Sequence, residues 1–395
     1  MRIAVVTPLF PSPVNPVRGT YIYNTVLGLQ KLADVEVFCV NAKYPAAMFR
    51  RRRVTRSAVQ QHSACQPREI KVRYLNYPAI PWLTRALNSR MCRHVLQPEL
   101  ESFGPDLVLA YWTHPSGHAA IAAGAALDVP VIVGALGSDL LLSKGIGRRF
   151  ARRAVQSARR VLTVSEHLRR AAISLGTPPE RVTTIRNGCD CSIFFPRSRS
   201  ECRARLGVAP AARLVLFVGW LAPLKGLPEL VAAMSEVRRT HAAAELVCIG
   251  DGPLKNWLSS LPPESGVRAI GPKTSSEIAD WLGAADLLCL PSHSEGCPNV
   301  IVEALSSGRP VVATSVGGIP ELIDADSGIL VAPRDASQLS AAISRALSHD
   351  WNEAAIAARH SRSWDDVARE THSACLEVLA ERKRPAPETF AYAIR

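Results

Sequence analysis

Short apolar runs recur along the chain at intervals that leave room for a helix between them. In the first half they are Ile3 to Val6, Val35 to Val40, Leu107 to Ala110, Val129 to Val133 and Val161 to Val164. In the second half they are Leu214 to Gly219, Leu246 to Ile249, Val267 to Ile270, Leu287 to Leu290, Val311 to Ala313 and Ile329 to Val331. Most are continuous rather than alternating, the pattern of strands buried on both faces. Strands that alternate with helices form parallel sheets covered on both sides, so each series predicts one doubly wound α/β domain. At 395 residues the chain is too long for one ordinary core and suits two domains of nearly equal size. The segment from Lys43 to Trp82, rich in arginine, proline and aromatic residues, reads as irregular. Ligands of such sheets bind beyond the carboxyl ends of the strands.

One strand end carries most of the candidate chemistry. After Asp286-Leu287-Leu288-Cys289-Leu290-Pro291 comes Ser294-Glu295-Gly296-Cys297-Pro298-Asn299-Val300-Ile301-Val302-Glu303-Ala304-Leu305. Asn299 to Ser307 can form a helix, with Pro298 tolerated at its start because the first turn needs no amide donor there. The first amides, those of Asn299 and Val300, are then free for a phosphate or a sugar hydroxyl, and Gly296 lets the backbone approach it. Glu295 precedes the helix and Glu303 lies about two turns into it, so the two carboxylates address different parts of one ligand. Such an arrangement suits a polyol carrying phosphates.

Composition narrows the class. Hydrophobic content of 47% with 21% charged residues excludes wholesale disorder. Ten scattered cysteines without a Cys-x-x-Cys pair read as reduced, mostly buried thiols of a cytosolic protein. Cys189-Asp190-Cys191 is the one close pair, and it lacks the neighbouring ligands of a zinc site. The opening residues read as a strand rather than a secretory signal, and no stretch of about 20 apolar residues suggests a membrane span. Charge is uneven: residues 1 to 200 hold 28 Lys and Arg against 11 Asp and Glu, the remainder 19 against 23. The densest clusters are Arg50 to Arg53 with Arg56, then Arg68, Lys71 and Arg73, followed by Arg148-Arg149, Arg152-Arg153 and Arg159-Arg160. Asymmetry on this scale favours an anionic partner, either an acidic membrane surface or a nucleic acid. A nucleic-acid binder would rest on that charge alone, without any recognition motif. No Gly-x-Gly-x-x-Gly follows the first strand, which argues against a dinucleotide dehydrogenase.

The stretch from Ser294 to Leu305, together with Gly308-Arg309-Pro310-Val311-Val312-Ala313-Thr314 and Gly317-Gly318-Ile319-Pro320-Glu321, resembles the signature of the retaining glycosyltransferases of the group 1 family (family 4). The resemblance implies the GT-B fold, two doubly wound, Rossmann-like parallel-sheet domains facing across a cleft. It implies that Glu295 touches the donor sugar and that Glu303 binds the ribose hydroxyls of the nucleotide, with Gly296, Asn299 and Val300 beside the phosphates. Gly219-Trp220-Leu221-Ala222-Pro223-Leu224-Lys225-Gly226 is similar to the family's diphosphate loop: Lys225 matches its lysine, whereas Trp220 stands where its arginine would be. The loop Ile270-Gly271-Pro272-Lys273 resembles the base-recognition loop. Gly19 matches the glycine that closes over the donor phosphates from the first domain. The Pro-rich form of that loop looks like the branch that builds cell-surface polysaccharides such as teichuronic acid.

On the acceptor side the candidates are His114, His118 and Asp139. At Ala135-Leu136-Gly137-Ser138-Asp139 the family often has His-Gly-x-Asp, so Leu136 replaces a histidine that can donate a hydrogen bond. Ile185-Arg186-Asn187-Gly188-Cys189-Asp190 resembles the interdomain crossing, whose Asn-Gly turn is expected to adopt positive φ. The expected domains are therefore 1–195, completed by a helix at about 365–383, and 196–364, with a loose tail at 384–395. The function implied is retaining, metal-independent transfer of a sugar from a UDP- or GDP-linked donor, with no resident cofactor, to a lipid-linked or glycan acceptor. The enzyme would be cytoplasmic and peripherally attached to the inner face of the membrane. The alternative is a protein of the same fold that binds a sugar nucleotide without transferring it.

Overall fold

The computed structural model describes residues 1–12, 18–44, 70–80, 87–141 and 145–383. The arginines at 50–53, 56 and 68 and the tail 384–395 lie outside the described residues. The first compact unit comprises Met1–Arg186 with the C-terminal residues from Asp365, and the second is Asn187–Trp364.

In the first unit seven parallel strands, β1 (Arg2–Thr7), β2 (Asp34–Lys43), β3 (Val72–Pro78), β4 (Leu107–Tyr111), β5 (Val131–Ala135), β6 (Arg160–Thr163) and β7 (Val182–Thr184), run in the order β3-β2-β1-β4-β5-β6-β7. Its central strands are continuously apolar because both faces are covered: all of Ile3 to Val6 and Leu107 to Ala110 is fully buried. The expectation that Lys43 to Trp82 is irregular is corrected at β3, which pairs in parallel with β2 from Val37↔Val72 to Lys43↔Pro78. An edge strand with mostly half-covered side chains has no need of a continuous apolar run, so Val-Arg-Tyr-Leu-Asn-Tyr-Pro carries none. The three-residue strand β7 at the other edge escaped for the same reason.

In the second unit β8 (Arg213–Val218), β9 (Ala244–Ile249), β10 (Val267–Ala269), β11 (Leu287–Leu290), β12 (Val311–Thr314) and β13 (Gly328–Val331) form a six-stranded sheet in the order β10-β9-β8-β11-β12-β13. Apolar helix faces close over it; in the helix Leu227–Thr240 the buried positions are Leu227, Leu230, Ala233, Met234 and Val237.

Two details of the crossing differ from expectation. The boundary falls after Arg186 rather than near Pro196, because Cys189 bridges to Ser363, Phe194 is buried in the second core and Arg197 pairs with Asp280 at 2.5 Å. Neither Asn187 nor Gly188 has positive φ. Glycine is needed at 188 for space instead: a Cβ there would lie 2.5 Å from the Ser363 carbonyl oxygen and 2.9 Å from that of Arg362. The last helix, Trp364–Lys383, is bound into the first unit by Arg160 to Glu377 and Glu381, and by Arg382 to Asp128.

Gly188→Ala should therefore destabilise the second unit by about 1–3 kcal/mol, the usual range for overpacking. Urea unfolding of the full chain checks it; an unchanged midpoint would mean that the Arg362–Ser363 segment simply moves aside.

Candidate functional site

A parallel sheet binds its ligand where the strand order reverses, and in the second unit that point lies between β8 and β11. Lys225 follows β8 and Glu295 follows β11, so the fold brings together two residues 70 positions apart. The Lys225 Nζ lies 2.5 Å from Glu295 Oε1, and the Ser292 hydroxyl donates to the same oxygen at 2.7 Å. The Thr314 hydroxyl in turn donates to the Ser292 carbonyl at 2.5 Å. Both side chains of the ion pair are largely covered, Glu295 at 11% and Lys225 at 26% exposure. Sequence patterns single out both residues for a ligand, but carry no sign that they bond to each other.

Backbone contacts hold this corner rigidly. Gly226 has φ +70°, and a Cβ there would be 2.0 Å from the Pro291 carbonyl oxygen. Gly317 has φ +57°, and a Cβ there would be 1.8 Å from the Glu295 carbonyl oxygen. The loop that carries Glu295 and Gly296 is therefore pressed backbone to backbone against both neighbours, which only glycine permits.

From that loop the chain enters the helix Asn299–Ser306 at Pro298, where no side chain caps the first turn. Asn187 reaches this entry: its amide donates to Asn299 Oδ1 at 2.7 Å and to the Cys297 carbonyl at 3.2 Å. At the other end of the helix Cys189 Sγ donates to the Ser306 hydroxyl at 3.2 Å. The crossing segment thus lies along the whole helix, a support that the Asn-Gly motif, read as a turn, does not announce. Val300 and Glu303 are half-buried on it. Burial alone pushes the Glu303 carboxyl up to about 7, and among the described residues no cation pairs with it.

Around this centre Trp220 stands out at 59% exposure while the adjacent Leu221 is fully buried. Gly271 has φ +74° with open space where a Cβ would point, and its carbonyl accepts from the Gly250 amide at 3.0 Å. Lys273 is tied to Glu277 at 3.1 Å.

In the first unit the strand order reverses between β1 and β4. Gly19 follows β1 and opens the helix Thr20–Gln30 at φ +70°, with Leu9 O 2.4 Å from where a Cβ would sit. His114 follows β4; its ring stacks on Phe150 at 4.6 Å and meets His118 edge-on at 6.3 Å. Burial, aided by Arg153, holds the His118 imidazole below its usual range. Asp139 plays a different part. Only 4% exposed, it accepts amides from Leu136 and Gly137 on Oδ1 and from Thr113 on Oδ2, at 2.9–3.0 Å. Burial raises its carboxyl against the opposing pull of these amides. Its carboxylate fastens the loop after β5 to the loop after β4. Leu136, whose side chain cannot donate, contributes its backbone amide to this brace.

The chain resembles known proteins along most of its length. Residues 212–349 match a family described as glycosyl transferases group 1, and residues 19–188 match the glycosyl transferase 4-like domain. A putative teichuronic acid biosynthesis glycosyltransferase of Bacillus subtilis is 33% identical over 358 residues, spanning 87% of this chain and 89% of that protein. A D-inositol 3-phosphate glycosyltransferase of Thermobispora bispora is 35% identical, spanning 53% of this chain and 54% of that protein. Among solved structures, an Anabaena protein crystallised with UDP and glucose superposes with a TM-score of 0.72 at 20% identity, covering 95% of this chain and 100% of that one.

The state of Glu303 predicts a pH dependence. Its folded value near 7 exceeds the ordinary 4.5, so between those values the folded protein binds the extra proton and stability falls as pH rises. Glu303→Gln lacks this ionisation. Its urea midpoint relative to wild type should therefore increase from pH 4.5 to pH 8, and a difference independent of pH would contradict the burial of this carboxyl.

Proposed function

The chain belongs to the group 1 glycosyltransferases and has their GT-B fold, and from that premise we propose a retaining, metal-independent transfer of sugar from a nucleoside diphosphate donor. The observation that carries the proposal is the Lys225–Glu295 pair at the strand-order reversal, beside a helix without a side-chain cap whose Glu303 has no cation partner among the described residues. Glu303 accepts from the ribose hydroxyls, Glu295 faces the donor sugar and Gly271 lies by the base. The amides of Asn299 and Val300, past Gly296, take the phosphates; Gly19 is assigned to the same phosphates on its match to the family loop. As the bond from the anomeric carbon to the diphosphate breaks, negative charge grows on the departing oxygen, where Lys225 and the helix amides offset it. The acceptor oxygen bonds to the same face of the sugar, and its proton passes to the leaving diphosphate.

The donor is UDP- or GDP-linked, a reading supported by the UDP and glucose found with the Anabaena neighbour. The resemblance to the teichuronic acid enzyme supports a role in cell-surface polysaccharide synthesis with a lipid-linked or glycan acceptor. His114 and His118 are the proposed acceptor contacts, on loops held by Asp139. Attachment to an anionic membrane face is proposed for the helix Gly145–Ser157, whose Arg148, Arg149, Arg152 and Arg153 are exposed without ion pairs among the described residues. No described helix is long and apolar enough to cross a membrane. One observation favours binding without transfer as a second reading: Trp220, exposed in the place of the family's arginine, leaves Lys225 with less help on the diphosphate.

Because the two glutamates touch different parts of the donor, their loss should differ. Calorimetry with UDP and GDP should show weaker binding for Glu303→Ala, whereas Glu295→Ala should keep nucleotide affinity and lose transfer. Equal loss of affinity in both variants would refute the division of roles. Turnover of any nucleotide sugar by wild type decides against the second reading.

For the membrane, each Lys or Arg near an anionic surface contributes about 1 kcal/mol, so four together suffice for reversible attachment. Changing Arg148, Arg149, Arg152 and Arg153 to Ser should reduce cosedimentation with anionic liposomes at low salt. Undiminished binding by the variant would remove this helix from the proposal.

A further inference from the structure

We propose that His293, held by Glu229, is a positioning residue that sets Lys225 against Glu295; the inference rests on the roles assigned to that pair above. His293 lies in the Glu295 loop, and its backbone amide donates to the Leu224 carbonyl at 2.8 Å, one residue before Lys225. Its ring Nε2 lies 2.9 Å from Glu229 Oε1. Glu229 sits in the first turn of the helix Leu227–Thr240, which begins directly after Lys225-Gly226. One residue therefore grips the Lys225 segment on both sides, by main chain before the lysine and by side chain after it. Both partners are largely covered, His293 at 14% and Glu229 at 23% exposure.

This grip acts on a short turn, ahead of the close backbone contact at Gly226. Lys225 closes the single turn Pro223–Lys225, three residues long, and such turns have poor hydrogen-bond geometry of their own. The ammonium also sits on a flexible four-carbon stem, so its place relative to a bound diphosphate depends on where the backbone is fixed. Among the described residues the other Glu229 oxygen, Oε2, is buried without a hydrogen-bond partner, so the carboxylate is answered on one side alone, by His293. His293 forms no part of the Lys225–Glu295 contact itself. It acts through the turn that carries Lys225.

The test measures kcat, donor KM, affinity for the free nucleoside diphosphates UDP and GDP, and melting temperature for His293→Ala, His293→Gln, Glu229→Ala and the double alanine variant, with Lys225→Ala in parallel. A misplaced cation acts on the transition state, so His293→Ala and Glu229→Ala should each lower kcat about tenfold or more, with nucleotide affinity held within about twofold by Glu303 and the helix amides. The double variant should be no worse than either single one. Glutamine, whose amide can still donate to Glu229, should recover most of the rate. The inference is overturned if His293→Ala keeps kcat within about twofold of wild type, if nucleotide affinity falls in step with kcat, or if glutamine does no better than alanine. Should His293→Ala not fold, the comparison of His293→Gln with Glu229→Ala decides it: a slow Gln variant overturns the inference. Wild-type turnover in Lys225→Ala would instead defeat the underlying assignment of Lys225, a separate and distinguishable failure.

Discussion

The carbonyls of Pro291 and Glu295 occupy positions that a methyl group on Gly226 or Gly317 would need. This close approach fixes the loop after β11 between its neighbours, and the rest of the site follows from it. A loop held by backbone contact has little freedom to adjust, so Glu295 meets Lys225 and Ser292 in one defined place. The same loop delivers the chain into the helix Asn299–Ser306 with its first amides uncapped, while Asn187 steadies the entry. Conformational entropy that a flexible site would lose on binding has already been lost on folding.

The two ends of the second sheet use charge in opposite ways. At the amino ends of the strands, Asp286 accepts from Arg199 and Arg203 at 2.8 Å and from the Leu214 amide at 2.6 Å. Arg309, 1% exposed, pairs there with Glu353 at 2.6 Å. Removing one member of such a buried set leaves its partners uncompensated, so these charges act as fixed ties. At the carboxyl ends the charges of the candidate site are less fully answered. Among the described residues Lys225 has one carboxylate partner and Glu303 has no cation, and such groups can exchange a protein partner for a ligand.

Much of this was legible in the sequence, to a depth set by physics. Central strands such as β1, β4, β8 and β11 declare themselves because burial on both faces demands continuous apolar runs. The edge strands β3 and β7 do not, since half their surface is open or short. Lys225, Glu295 and Glu303 stood out as residue types at recognisable offsets, yet the bond between the first two is a product of strand order. Asn187 and Gly188 read as a turn, whereas the structure uses one for a hydrogen bond to the site helix and the other for bare space. Asp139 shows the converse: a carboxylate at a strand end looks like a ligand group until its three amides are seen. His293 and Glu229 belong to no motif and could be found only from distances.

The central claim is that Lys225 and Glu295 work as one unit in sugar transfer. A double-mutant cycle on kcat/KM, with Lys225→Ala, Glu295→Ala and the double variant assayed on the same donor and acceptor, tests it most directly. Removal of one preorganised group of this kind costs about 2–4 kcal/mol in the transition state. The account predicts that the double variant loses about as much as the worse single one, because either loss already breaks the unit. Losses that simply add would contradict it, showing that the two side chains meet in the fold but act independently on the donor.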